Sequence, residues 1–80
     1  MPTILRVRGY RFFFFSNERG EPPHVHAEQA DRYAKFWVES VSLVSNVGFR
    51  SGELTDLHAL VEEHRALFLE KWNEFFGNQG

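Results

Sequence analysis

The stretch EPPHVHAE, residues 21–28, holds three side chains whose types do chemistry: His24, His26 and Glu28. Imidazole titrates near neutral pH, so two of them close together can give and take a proton. Two imidazoles and a carboxylate are also metal ligands. They suit zinc or iron once a third or fourth ligand and outer hydrogen bonds complete the set. Alternation along a strand places His24, His26 and Glu28 on one face, with Val25 and Ala27 on the other. Pro22 and Pro23 stiffen the approach and fix where the strand begins.

Three readings follow. In the first, His24 and His26 are the catalytic acid and base of a metal-independent endoribonuclease. Cleavage through the 2′-hydroxyl also needs a cation for the phosphate, and Arg6, Arg8, Arg11, Arg32 and Lys35 are available. Tyr33 and Trp37 can stack on unpaired bases. Arg8, Arg11, Tyr33, Lys35 and Trp37 then form the candidate binding surface, although the overall charge does not indicate RNA. In the second reading, His24, His26 and Glu28 would be the metal ligands. The set is sparse, and no cofactor is expected. His58 and His64 do not extend it, because six residues turn a helix through roughly 240°, not the one-turn spacing of a zincin pair. In the third, HVH is an ordinary hydrogen-bonded part of a half-buried strand. On that view His64 is a satisfied core histidine, His58 is solvated, and Arg6, Arg8 and Arg11 line a solvated hairpin face.

The elements that must position these residues can be read from periodicity. TILRV (3–7) alternates, with Leu5 and Val7 on one face and Ile4, Arg6 and Arg8 on the other. Arg8-Gly9 turns the chain into YRFFFFS (10–16), whose consecutive phenylalanines put rings on both faces, as in a central strand covered on both sides. NERGEPP (17–23) is a polar loop. HVHAE (24–28) and RYAKFWVE (32–39) form a second hairpin around Gln29, Ala30 and Asp31. The simplest packing buries Val25, Ala27, Ala34, Phe36 and Val38 under a helix. His24, His26, Tyr33, Lys35 and Trp37 then share the opposite face, unless the register slips by one residue. VSLVS (41–45) is a short fifth strand or an irregular edge, and Asn46-Val47-Gly48 turns the chain.

From Ser51 the period becomes helical. Ser51 is the expected N-cap, and Glu53 and Asp56 favour the positive end of the dipole. Leu54, Leu57, Val61, His64, Phe68, Trp72 and Phe75 follow one buried stripe, and Gly77 is the expected stop. Roughly 25 residues of helix would span nearly 40 Å. The expected fold is therefore α+β. A small antiparallel sheet of about four to five strands, within residues 3–45, packs against one long C-terminal helix at about 52–76.

Eighty residues make a single domain, near the lower size limit for a self-sufficient core. The hydrophobic content of 42% and aromatic content of 16% describe a folded chain. A chain this short gains stability from a partner, such as a second copy in a homodimer. There is no cysteine, which excludes disulfides and thiolate metal sites. No signal peptide and no membrane-length apolar run is visible, so a cytoplasmic location without membrane association is expected. The net charge of −2 is uneven. Residues 1–50 carry seven Lys/Arg and five Asp/Glu, and residues 51–80 carry two and six. The mildly basic first part is the better candidate to face an anionic partner.

Taken together, MPTILRVRGYRFFFFSNE, EPPHVHAE, AKFWVE and the ending LFLEKWNEFFG resemble the bacterial and archaeal family catalogued as domain of unknown function 4160. The resemblance covers nearly the whole chain. Its shared PPHVH falls on Pro22, Pro23, His24, Val25 and His26. What the resemblance implies is a short protein encoded beside a second small protein, in an arrangement like a toxin–antitoxin module. The expected function is thus binding of that neighbouring partner. His24 and His26 are the leading functional residues, and the helix, with Leu69 and Phe76 at the margins of its stripe, is the expected contact element.

Overall fold

The computed structural model describes residues 3–15 and 20–77. Ser16, where the second strand was expected to end, and loop residues 17–19 lie outside the described residues. Five strands, β1 (Thr3–Val7), β2 (Tyr10–Phe13), β3 (His24–Gln29), β4 (Arg32–Trp37) and β5 (Ser42–Val47), precede two helices, α1 (Ser51–Glu63) and α2 (Arg65–Phe76). The strands form one antiparallel sheet in chain order, so β3 is central and β1 and β5 are the edges. This is the α+β arrangement expected, with a full fifth strand that runs to Val47 rather than stopping near residue 45.

The turns follow local chemistry. Val7 pairs with Tyr10, leaving Arg8 and Gly9 as a two-residue loop. Both take positive φ, 54° and 82°, the pattern of a type I′ hairpin. The positive φ favours glycine at Gly9, whereas a Cβ there would meet only the movable amide end of Gln29, at 2.9 Å. Both edge strands carry irregularities. The β1–β2 register shifts between Thr3 and Leu5, and the β4–β5 register shifts so that Lys35 faces Ser45 while Phe36 faces Leu43. The first shift corrects the simple alternation for β1: Ile4, Leu5 and Val7 all pack against the core. A bulge turns an extra side chain to the neighbouring face.

The core lies between the sheet and the helices. Phe12, Phe14, Val25, Ala27, Ala34, Phe36 and Val38 from the sheet side meet Leu57, Leu60, Val61, Phe68 and Trp72. Rings lock the contact, with Phe12 to Phe68 at 5.3 Å and Phe14 to Trp72 at 5.1 Å between centroids.

The single long helix expected from periodicity is two helices. His64, at φ −103° and ψ 17°, leaves helical geometry between them. The chain hardly pauses. The His64 N–H bonds to the Leu60 carbonyl at 3.0 Å, and the His64 carbonyl accepts the Phe68 N–H at 2.9 Å. A straight rod over both helices would run about 39 Å, whereas strands of four to six residues reach only about 20 Å. Phe68 and Trp72, beyond His64, belong to the same core as Leu57, Leu60 and Val61. No glycine or proline marks the site, so nothing local announces it. His64 is half-buried, with its ring 6.2 Å from that of Phe68.

The N-cap also differs by one residue. Arg50, not Ser51, precedes the first turn, and its N–H donates to the Glu53 carboxylate at 3.0 Å. Gly77 ends α2 as expected, at φ 78°, with its N–H on the Asn73 carbonyl. Among the described residues, no helix is long and apolar enough to cross a membrane.

Candidate functional site

The sheet assembles the sequence candidates in cross-strand rows. His24 faces Trp37, His26 faces Lys35, and Glu28 faces Tyr33 on β4. From β2, Phe13 faces His26 and Arg11 faces Glu28. The strand begins at His24, as the two prolines imply, and the Pro23 carbonyl accepts the Val38 N–H at 3.1 Å. His24, His26, Arg11, Tyr33, Lys35 and Trp37 therefore share the sheet face opposite the helix-covered one. Arg8 does not join them: it stands exposed in the β1–β2 turn.

Facing away from the main core does not expose the imidazoles. His24 is 0% and His26 2% exposed. Aromatic rings enclose them. His26 stacks between Phe13 at 5.3 Å and Tyr33 at 5.7 Å, and meets the edge of Phe15 at 4.6 Å. His24 lies 5.7 Å from Trp37 and 5.0 Å from Trp72, which α2 brings across the end of the sheet. The two imidazole centroids are 5.1 Å apart.

Hydrogen bonds orient both rings. His24 Nδ1 lies 3.0 Å from the Pro22 carbonyl. A carbonyl only accepts, so Nδ1 carries the proton. His26 Nδ1 shares a 2.7 Å hydrogen bond with the Tyr33 hydroxyl. Around this pair the charges are mated. Glu21 lies 3.2 Å from Lys35 Nζ and 3.7 Å from His24 Nδ1. Lys35 also sits over the Trp37 ring at 5.2 Å. Arg11 bonds Glu28 at 2.7 Å and Thr3 at 2.8 Å, and covers the Phe13 ring.

Chemically, this is a closed aromatic box around two imidazoles. Among the described residues, neither ring is open to solvent, His24 being 0% and His26 2% exposed. Glu28, the third metal candidate, is engaged by Arg11. Among the described residues, no group of three or more His, Asp or Glu is placed to hold a metal ion. Sequence reasoning overlooked Phe13, Phe15, Glu21 and Trp72 as walls of the box. Two of them were within reach. Strict alternation through FFFF puts Phe12 and Phe14 on one face and Phe13 and Phe15 on the other.

A second polar cluster lies at the far end of the sheet. Glu53 is held below the usual carboxylate range by the Arg50 N–H and then by the Arg32 guanidinium, with which it forms an ion pair. Burial pushes the Tyr10 phenol up, and the Asp56 and Glu53 carboxylates add to the rise.

Residues 9–73 match the family described as domain of unknown function (DUF4160). The chain belongs to that family. The DUF4160 match takes in PPHVH, both enclosed histidines and the break at His64. It excludes β1 and the last turn of α2 with Phe75 and Phe76. No curated protein and no solved structure matches the chain.

Proposed function

We propose that this DUF4160 protein works by binding a second small protein, as one component of a two-gene module of the toxin–antitoxin or regulatory kind. One observation carries the reading: the proton-exchanging groups are inside and large apolar groups are outside. His24 and His26 are enclosed, while Leu43, Val44, Val47 and Phe75 are 44%, 40%, 60% and 41% exposed. A catalytic acid or base must reach its substrate, whereas exposed apolar side chains gathered on one strand favour a protein contact. Phe75 borders an open groove of about 290 Å³ with Ile4, Lys71 and Glu74. Leu69 and Phe76, the contact residues expected from sequence, are half-buried against the core instead.

The test is co-expression with the product of the adjacent small gene, with a tag on that product alone. Stable co-purification is expected, weakened by Phe75→Lys. Absence of co-purification, with both proteins soluble, would sink the reading.

A second reading, RNA cleavage by the imidazole pair, draws on their 5.1 Å separation. It requires the box to open. Cleavage of single-stranded RNA that persists in a folded double variant, His24→Gln with His26→Gln, would dismiss it.

A further inference from the structure

We infer that β5 and the seam between β5 and α1 dock a second copy of this chain. The inference rests on reading the protein as a binding module and assigns one surface within it. Three of the four large exposed apolar side chains among the described residues, Leu43, Val44 and Val47, lie on this single edge strand. They do not share a face. Leu43 is opposite Phe36, on the helix side of the sheet, and Val47 is opposite Tyr33, on the other. A ligand or helix laid on one side would leave the other side in water. A second sheet edge covers both at once.

The two edges differ in charge. β1 carries exposed Arg6 and runs into exposed Arg8, the kind of charge that keeps sheet edges apart. β5, with the sequence SLVSNV, has no charged residue. Two copies of β5 side by side therefore bring no like charges together, as a two-fold contact of identical patches requires. At the flank of the seam, Glu62 and Arg65 are both exposed. Glu62 is one turn along α1 from the groove residue His58, and Arg65 Nε donates to the Glu39 carbonyl at the β4–β5 turn. The flank thus carries exposed Arg65 together with exposed Glu39 and Glu62, so a two-fold axis that sets Arg65 of one copy against a carboxylate of the other brings opposite charges together.

Size fixes what else must take part. A stable interface buries about 1,200 Å² or more in total. A six-residue strand, about 20 Å long, falls short of that alone, and the bulge at Val44 interrupts any continuous backbone ladder. Side chains must supply the rest. The seam holds an open groove of about 320 Å³ between Phe36, Leu43, Leu54, Thr55 and His58. In a two-fold pairing, Leu43 and Val44 of one copy reach the groove of the other.

Sedimentation velocity of the untagged full chain across a concentration series tests this. A reversible species of twice the 9.4 kDa chain mass is expected. Val44→Lys or Val47→Lys should weaken it about tenfold or more, with an unchanged circular dichroism spectrum, and Phe75→Lys should leave it intact. Hydrogen exchange gives a readout that needs no variant: β5 amides should gain protection as the wild-type chain is concentrated. A chain that stays monomeric throughout, with concentration-independent β5 exchange, overturns the inference. So does a dimer lost with Phe75→Lys but kept with Val47→Lys. Binding of the neighbouring gene's product is scored separately by co-purification, so a monomer that still co-purifies overturns this inference alone.

Discussion

Val25 and Ala27 on one face of β3, and His24 on the other, are all 0% exposed, and His26 is 2% exposed. The two faces reach the same depth by different means. The first is sealed by aliphatic and aromatic packing under α1 and α2. The second is sealed by rings and by hydrogen bonds that bind the imidazoles to Pro22 and Tyr33. Burial of a polar ring is tolerated only when such bonds replace water. The comparison teaches that an HVH motif facing away from the main core can still be interior, because a small domain can wrap a second, thinner layer round its sheet.

Adjacent rings give the sharpest test. Phe12 points to the helix face and Phe13 to the histidine face, and both are nearly unexposed. Phe12→Ala should cost about 3–5 kcal/mol, as deletion of a ring from a close-packed core does. Phe13→Ala should cost less, about 2–3 kcal/mol, because half-buried Arg11 and Phe15 can settle into the space. Urea denaturation of the two variants measures both. Equal costs would break the distinction between a rigid core and a thinner layer.

A smaller effect isolates the hydrogen bonding of the second face. Tyr33→Phe removes the hydroxyl bonded to His26 and should cost about 1 kcal/mol. A neutral result in the same denaturation series would mean that ring stacking alone holds His26.

The smallest expected effect lies at the opposite end of the sheet and acts as a control. Glu53 is lowered from its ordinary value of 4.5 by the Arg50 N–H and Arg32. A depressed carboxylate contributes stability above its ordinary pKa, and that contribution is lost as pH falls through its folded value. The wild type should therefore lose more melting temperature than Glu53→Gln between about pH 5 and pH 3, while the two track each other at higher pH. Parallel curves throughout would show that the cap contributes nothing measurable.

Much of this was legible along the chain. Alternation through HVHAE and RYAKFW identified both faces of the β3–β4 hairpin and the company His24 and His26 keep. Arg8-Gly9 and Gly77 marked a turn and a helix stop. These features depend on the direction of each Cβ and on local φ, which neighbouring residues determine. Other features carried no local mark. The stripe through His64 is uninterrupted, yet the helix breaks there. Arg50 displaces Ser51 as the cap. Alternation put Ile4 on the face opposite Leu5 and Val7, whereas the register shift in β1 lets all three pack against the core.

The sequence by itself therefore determined the α+β class, the β1–β2 and β3–β4 hairpins and which side chains of β3 and β4 lie together on a face. Only the tertiary structure decided that the faces of β3 are both interior, that α1 and α2 are separate, and that β5 leaves its apolar side chains outside. The physical reason is range. Strand and helix periods are written within a few residues, whereas burial is decided by groups far along the chain, such as Trp72 closing over His24.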